Sequence, residues 1–474
     1  MTTPLRLHPD RLLPADPSTR EVARRLHAAV VDAPIISPHG HVDPELVLRD
    51  EAFPDPASTF ITPDHYVTRL LHAQGVDLAD LGVTDADAPV GAAPPDPRRV
   101  WRLLCHHWPA LRGTPSRYWL ESELAEQFGV TTRPSEETAD AIYDQVAASL
   151  AEPAYRPRAL FERFRIDVLA TTDDPVSDLS AHRALAQDPT FPARVLPTFR
   201  ADRYLDPGQE GWAAHVAALG AAAGVDTASW DGMLEALRRR RAFFAEHGAT
   251  ATDQGPVDTG SEPLSRAEGR RLHAAALTQG VSAAEAAAYR RAMLFESAAM
   301  AAEDGLVMQL HPGVLRGHHT PTLRRFGPDT GHDLPLPTDF VRGLRPLLER
   351  FGTSRTFRMV LFTVDETTFS RDIAPLAGFY PSVYVGAPWW FLDTPDAVLR
   401  FRAAVTDTAG FYRTAGFVDD TRAFFSIPAR HDMARRLDAA FLARLVVEHR
   451  LDEDEARETL HDLVERQPRE AFRL

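Results

Sequence analysis

Residues 34–43 read PIISPHGHVD, so two imidazoles, His39 and His41, stand two positions apart where an apolar run ends. In extended backbone, residues i and i+2 point the same way, so both rings would face one direction with only Gly40 between them. That placement suits a metal ion, which neutral imidazoles bind through a ring nitrogen. Taken alone, the pair is as readily two loop histidines. A third imidazole, His311 in QLHPG, and a carboxylate, Asp420 in VDDTR, extend the donor set. Three imidazoles and one carboxylate could hold one zinc-like divalent ion and leave positions open for water or substrate oxygens. The pairs His106-His107 and His318-His319 read as surface or packing histidines instead.

Composition narrows the remaining chemistry. All 52 basic residues are arginine, and the chain contains no lysine and no asparagine. A Schiff-base lysine, a phosphate-loop lysine and a carbamylated lysine bridging two metals are therefore excluded. One cysteine, Cys105, excludes internal disulfides and thiolate zinc clusters. The net charge of −15 opposes binding to nucleic acid or to an anionic membrane surface, because phosphates would be repelled. The one basic block, RRRR at 238–241, sits in a helical pattern and reads as a solvated face. The N-terminal residues lack the zones of a signal peptide, and no stretch approaches the roughly 18 apolar residues of a spanning helix. The expectation is a cytoplasmic protein, monomeric or a symmetric homo-oligomer.

These groups need elements to position them. Eight short runs rich in β-branched and apolar residues end in polar ones: APIIS (33–37), IDVLATTD (166–173), RVLPTF (194–199), GATAT (248–252), LVMQL (306–310), RMVLFT (358–363), SVYVG (382–386) and GFVD (416–419). From the second run onward they alternate with helical stretches, which predicts an α/β fold, a (β/α)8 TIM-type barrel. The predicted organisation is an N-terminal segment with strand 1 over 1–41, a mostly helical insertion over the barrel mouth at 42–165, and the rest of the barrel with C-terminal helices at 166–474.

In such a barrel, reactive groups lie just after the strands, at their C-terminal ends. That rule selects His39 and His41 after strand 1, TTDDP (171–175) after strand 2, Arg200 and Arg203 after strand 3 and Asp253 after strand 4. It continues with His311 after strand 5, Asp365 after strand 6, Trp389 and Trp390 after strand 7, and Asp420 and Arg422 after strand 8. TTDDP is also consistent with a capped turn ahead of Pro175, and the tandem tryptophans with a packed rim.

His-x-His on strand 1, His on strand 5 and Asp on strand 8 resembles the amidohydrolase superfamily, whose barrels hold one or two metals. Within it the chain is similar to the uronate (glucuronate) isomerase family over nearly its whole length. PHGHVDP, PDHYVTRLLHAQGV, VLATTDDP, VLPTFRADR, FFAEHGATATDQG, MQLHPG, GAPWWF and FVDDTRAF occur in the family's order. Two departures stand out. Ser37 occupies a position where the family commonly has Asp, and Thr252-Asp253-Gln254 stands where it commonly has Ser-Asp-His.

The resemblance implies an aldose–ketose isomerisation, glucuronate to fructuronate and galacturonate to tagaturonate, with one divalent metal, zinc by preference, on His39, His41, His311 and Asp420. It implies Asp420, Tyr66 and Arg422 as catalytic groups, Tyr66 as an acid or base whose pKa a cation such as Arg422 would lower. Arg200 or Arg203 would receive the uronate carboxylate, with His65, Trp389 and Trp390 against the sugar. The rival expectations are a metal-dependent hydrolase or decarboxylase on the same barrel, and a catalytically silent binding protein with structural histidines.

Overall fold

Strands form where the β-branched runs pair, and most are shorter than the runs themselves. The computed structural model describes residues 3–89, 91 and 93–474. One parallel sheet has the order β1 (Ile35–Ser37), β2 (Ile166–Ala170), β3 (Arg194–Leu196). A second parallel sheet places β4 (Phe199–Arg200), β5 (Ala251–Gln254), β6 (Val307–Leu310), β9 (Met359–Leu361) and β10 (Val383–Val385) side by side in that order. The hairpin β7 (Val314–Leu315) and β8 (Leu334–Pro335) lies apart from both. A parallel bridge between Asp173 and Phe199 joins the two sheets into one curved wall. With helices between most successive strands of the wall, the architecture is a TIM-type (β/α)8 barrel.

Three strand expectations are corrected. RVLPTF is two strands, because Pro197 cannot donate to the ladder and divides β3 from β4. The fourth run starts later than its sequence suggests: Gly248, at φ +94°, completes the preceding turn, and β5 extends through Gln254, so Asp253 lies within the strand. GFVD forms no regular strand among the described residues. Gly416 and Asp420, at φ +75° and +42°, break the extended backbone, and the wall continues through a single bridge between Val385 and Thr414. His41 N–H donates to the Thr421 carbonyl at 3.0 Å, which brings this irregular eighth wall back to the segment following β1.

Between β1 and β2 the ordered elements are helical. Several begin with the same local chemistry: Asp43, Asp55 and Asp96 cap helices whose first turn contains proline, Pro44, Pro56 and Pro97. Trp101, Trp108, Phe128 and Phe161 pack in one apolar cluster with Ile35 and Ile166 of the strands and with Phe424 and Phe425 beyond the eighth wall. The insertion therefore shares its core with the barrel. The helix Ser426–Val447 is buried along most of its length and packs on helix Pro17–Val30.

The block RRRR is only half solvated. Arg241 is buried with its guanidinium on both oxygens of Asp304, at 2.6 and 3.0 Å, and Arg240 donates to the carbonyls of Pro175 and Ser177. Paired donors of this kind satisfy a buried charge that the sequence pattern assigns to solvent. No helix of the described residues is long and apolar enough to cross a membrane.

Candidate active site

The C-terminal ends of the strands surround a cavity of about 530 Å³. On its floor His39, from the turn after β1, stacks on His311 with ring centroids 4.7 Å apart, and His41 stands edge-on to His39 at 5.3 Å. Asp420 reaches them from the eighth wall: its Oδ1 lies 3.3 Å from His39 Nε2 and 3.0 Å from His41 Nε2. At these orientations Asp420 Oδ1 forms no hydrogen bond, and neither does His311 Nε2 nor Asp253 Oδ2, although all three atoms are buried. Lone pairs buried together without hydrogen-bond partners are what a set of metal donors requires.

Two donor groups share His39. His39, His41 and Asp420 form one, and His39, Asp253 and His311 the other, with the ligand atoms of each group within 4.8 Å of one another. The sequence places Asp253 only near a strand end; within β5 it lines the cavity. His311 Nδ1 lies 2.7 Å from Asp253 Oδ1, which leaves Nε2 as the free nitrogen of a neutral ring.

Electrostatics favour the neutral form for His41 and His311, whereas at His39 burial is outweighed by Asp420 and Asp253, which raise its pKa. Burial pushes the His41 and His311 pKa values down, so both rings are held toward the neutral form. Burial opposes ionisation of Asp420, yet His39 and His41 outweigh it and hold the carboxyl well below its usual range. Burial likewise opposes ionisation of Asp253, and Arg200 and His311 outweigh it. Arg200 Nη1 approaches Asp253 Oδ2 at 3.3 Å, and its Nε donates to Asp202 at 2.9 Å.

The walls account for the other expected residues. Trp389 and Trp390 are buried and line the cavity, Trp389 edge-on to His311 at 4.8 Å. Trp390 sits at φ +54° and faces the ring of His65 at 5.4 Å. Burial and, after it, the nearby Arg422 lower the His65 pKa to about 3, so this imidazole is neutral. Arg203 is on the rim, its side chain 56% exposed and paired with Asp174 at 2.9 Å. Asp173, the other acid of TTDDP, accepts from Thr171 Oγ1 and from the Thr198 N–H, which is the capped-turn role, while also lining the cavity.

A model of the family described as glucuronate isomerase matches residues 17–471 of this sequence. The chain belongs to that family. A uronate isomerase of Corynebacterium efficiens is 50% identical over 475 residues, covering 100% of both chains. Among solved structures, the glucuronate isomerase from Caulobacter crescentus superposes with a TM-score of 0.96 at 44% identity, over 99% of this chain and 98% of that one. The uronate isomerase from Thermotoga maritima gives 0.91 at 30% identity, over 98% and 99%.

In this member of the glucuronate isomerase family, the expectation for Tyr66 is corrected. The cation beside its ring is Arg430, 5.0 Å from the centroid, rather than Arg422. Burial dominates and drives the phenol pKa upward, so Tyr66 is a protonated donor. Arg430 itself is stacked on Trp119 at 3.6 Å and bound to Asp393 at 2.8 Å. It also donates to the Asp419 carbonyl at 3.3 Å, beside the left-handed Asp420. Sequence reading passed over Arg430, Arg316 and Asp329, since isolated arginines and aspartates carry no spacing signal.

Proposed function

We propose that this chain interconverts D-glucuronate and D-fructuronate, and D-galacturonate and D-tagaturonate, by moving a proton between C2 and C1 of the open-chain sugar. The observation that carries the reading is the convergence of His39, His41, His311 and Asp420 on the floor of a cavity walled by arginines, in a chain of the glucuronate isomerase family. The buried, unpartnered Nε2 of His311 and Oδ1 of Asp420 fit a divalent cation, and we assign these four residues as its ligands, with zinc the preferred ion. When bound, such an ion supplies positive charge against the negative charge that develops on the sugar oxygens.

The chain's own groups then divide the work. Asp420 is the carboxylate at the floor, and its second oxygen, Oδ2, is assigned to take the proton from C2 and return it to C1. The hydroxyl proton of O2 is lost and one is gained at O1, so atoms and electrons balance without a redox partner. Tyr66, protonated, donates to an oxygen of the enediolate. Arg422 places a fixed cation at the same mouth. His65, Trp389 and Trp390 give the sugar an apolar wall and exclude water from the carbon that loses its proton. Arg200 and Arg203, the arginines expected to receive the uronate carboxylate, are already paired with Asp202, Asp253 and Asp174, so they are assigned instead to the sugar hydroxyls and the rim.

The test is to incubate the protein with D-glucuronate in D₂O and follow the sugar by NMR. A ketose of unchanged mass, apart from deuterium entering beside the carbonyl, is the expected result. A ketose without deuterium requires a transfer shielded from solvent. No reaction with either uronate in metal-replete protein overturns the proposal.

A further inference from the structure

The cavity wall carries four guanidinium groups against seven carboxylates, an unpromising place for an anionic sugar. Its arginines differ in how firmly their charge is matched. Arg200 is bound by two aspartates, one of them Asp253 with a side chain only 1% exposed. Arg203 is matched by Asp174. Arg422 has one carboxylate partner among the described residues, Asp329, at 3.4 Å. The same carboxylate lies 3.8 Å from Arg316.

Those two contacts are loose, and Asp329 is placed to give them up. Its side chain is 46% exposed, and its hydrogen-bond partner is Arg422 alone among the described residues. It stands at φ +60° between Gly327 and Gly331, both also at positive φ, on the excursion between β7 and β8. Arg316 would stay in position without it. Its Nη1 is 3.0 Å from Asp333, a side chain 3% exposed, and its guanidinium lies over Trp390 at 5.2 Å. The Arg316–Arg422 pair is thus bridged by a movable carboxylate, on one face of a cavity whose floor holds the metal donors.

We propose that Asp329 is an internal substitute for the substrate's carboxylate, bridging Arg316 and Arg422 until the carboxylate of an anionic sugar takes its place. The exchange replaces one carboxylate by another and leaves the charge balance of the wall unchanged. A neutral aldose cannot make that exchange, since displacing Asp329 would leave Arg422 without a carboxylate partner among the described residues. Asp329 therefore lowers affinity for the correct ligand class while making a carboxylate a condition of entry. This rests on the uronate reading above.

The experiment compares wild type with Asp329→Asn by calorimetric titration of D-glucarate, a sugar dicarboxylate with no carbonyl to isomerise, and of neutral D-glucitol. Asparagine tolerates the left-handed backbone at this position and removes the charge. Removing an internal competitor is expected to tighten glucarate binding about three- to tenfold, to lower the KM for glucuronate in parallel, and to leave glucitol binding where it was. Unchanged or weaker glucarate binding overturns the proposal and makes Asp329 a residue that merely orients Arg422. Asp329→Gly, which also accepts positive φ, repeats the test if the asparagine variant does not fold. Binding does not require turnover, so a wild type that fails to isomerise either uronate would refute the proposed reaction without deciding this comparison.

Discussion

Two buried carboxyls are held out of their ordinary states chiefly by burial. Glu123 is buried in the insertion, and burial, with Asp64 beside it, raises its pKa to about 8; burial also raises Asp393 to about 7 against the pull of Arg430. A carboxyl raised this way is protonated in the folded protein and ionised in the unfolded chain between pH about 4.5 and about 8. The folded state then binds the extra proton, so stability falls as pH rises through that window and levels off above it. Glu123→Gln keeps the shape and removes the titration. Its denaturation free energy is expected to equal that of wild type near pH 5 and to exceed it by on the order of a few kcal/mol at pH 9. Equal pH slopes from pH 5 to 9 in the two proteins would show that Glu123 is ionised within the fold. Arg430, which the carboxylates around it keep charged, stacks on Trp119 and donates to the Asp419 carbonyl, which ties the helical segment to the left-handed turn that presents Asp420.

At the scale of elements, each strand end is shaped by its neighbour. His311, after β6, stacks on Phe362, after β9, with centroids 4.0 Å apart and planes 12° from parallel. Phe362 in turn lies against Gly386, after β10, where an added Cβ would sit 2.5 Å from Cδ1 of the ring. Three consecutive strands thus set the orientation of one imidazole through packing. Gly386→Ala would push the Phe362 ring toward His311, an overpacking that costs about 1–3 kcal/mol. The expected outcome is a lower melting temperature together with weaker zinc retention, measured by metal content after dialysis. Full zinc retention at reduced stability would separate His311 from its aromatic support. The irregular eighth wall follows the same logic: positive φ at Asp420 costs ladder hydrogen bonds, and it turns the carboxylate toward both His39 and His41.

For the whole molecule, the four assigned ligands come from the turn after β1, the end of β6 and the eighth wall, so a bound ion would link segments from both ends of the chain. A ligand present at about 100 times its Kd stabilises the folded state by about 2.7 kcal/mol. For a chain of this length that is a melting shift of about 2–3 °C. Chelator treatment is expected to lower the melting temperature by that order and to abolish isomerisation, with zinc restoring both. Unchanged stability and activity after verified metal removal would refute the assigned ligands. Much of this was legible locally. The two-residue period of strands marked His39 and His41, the strand-end rule of a barrel selected His311 and Asp420, and the all-arginine composition excluded lysine chemistry outright. Pairing and burial were not legible, because they depend on residues far apart along the chain. Asp329 lies 93 positions from Arg422, and Tyr66 meets Arg430 from the opposite end of the sequence. Only the tertiary structure set Asp253 against His311 Nδ1, buried Tyr66 so that its phenol stays protonated, and gave Arg422 a single carboxylate partner among the described residues.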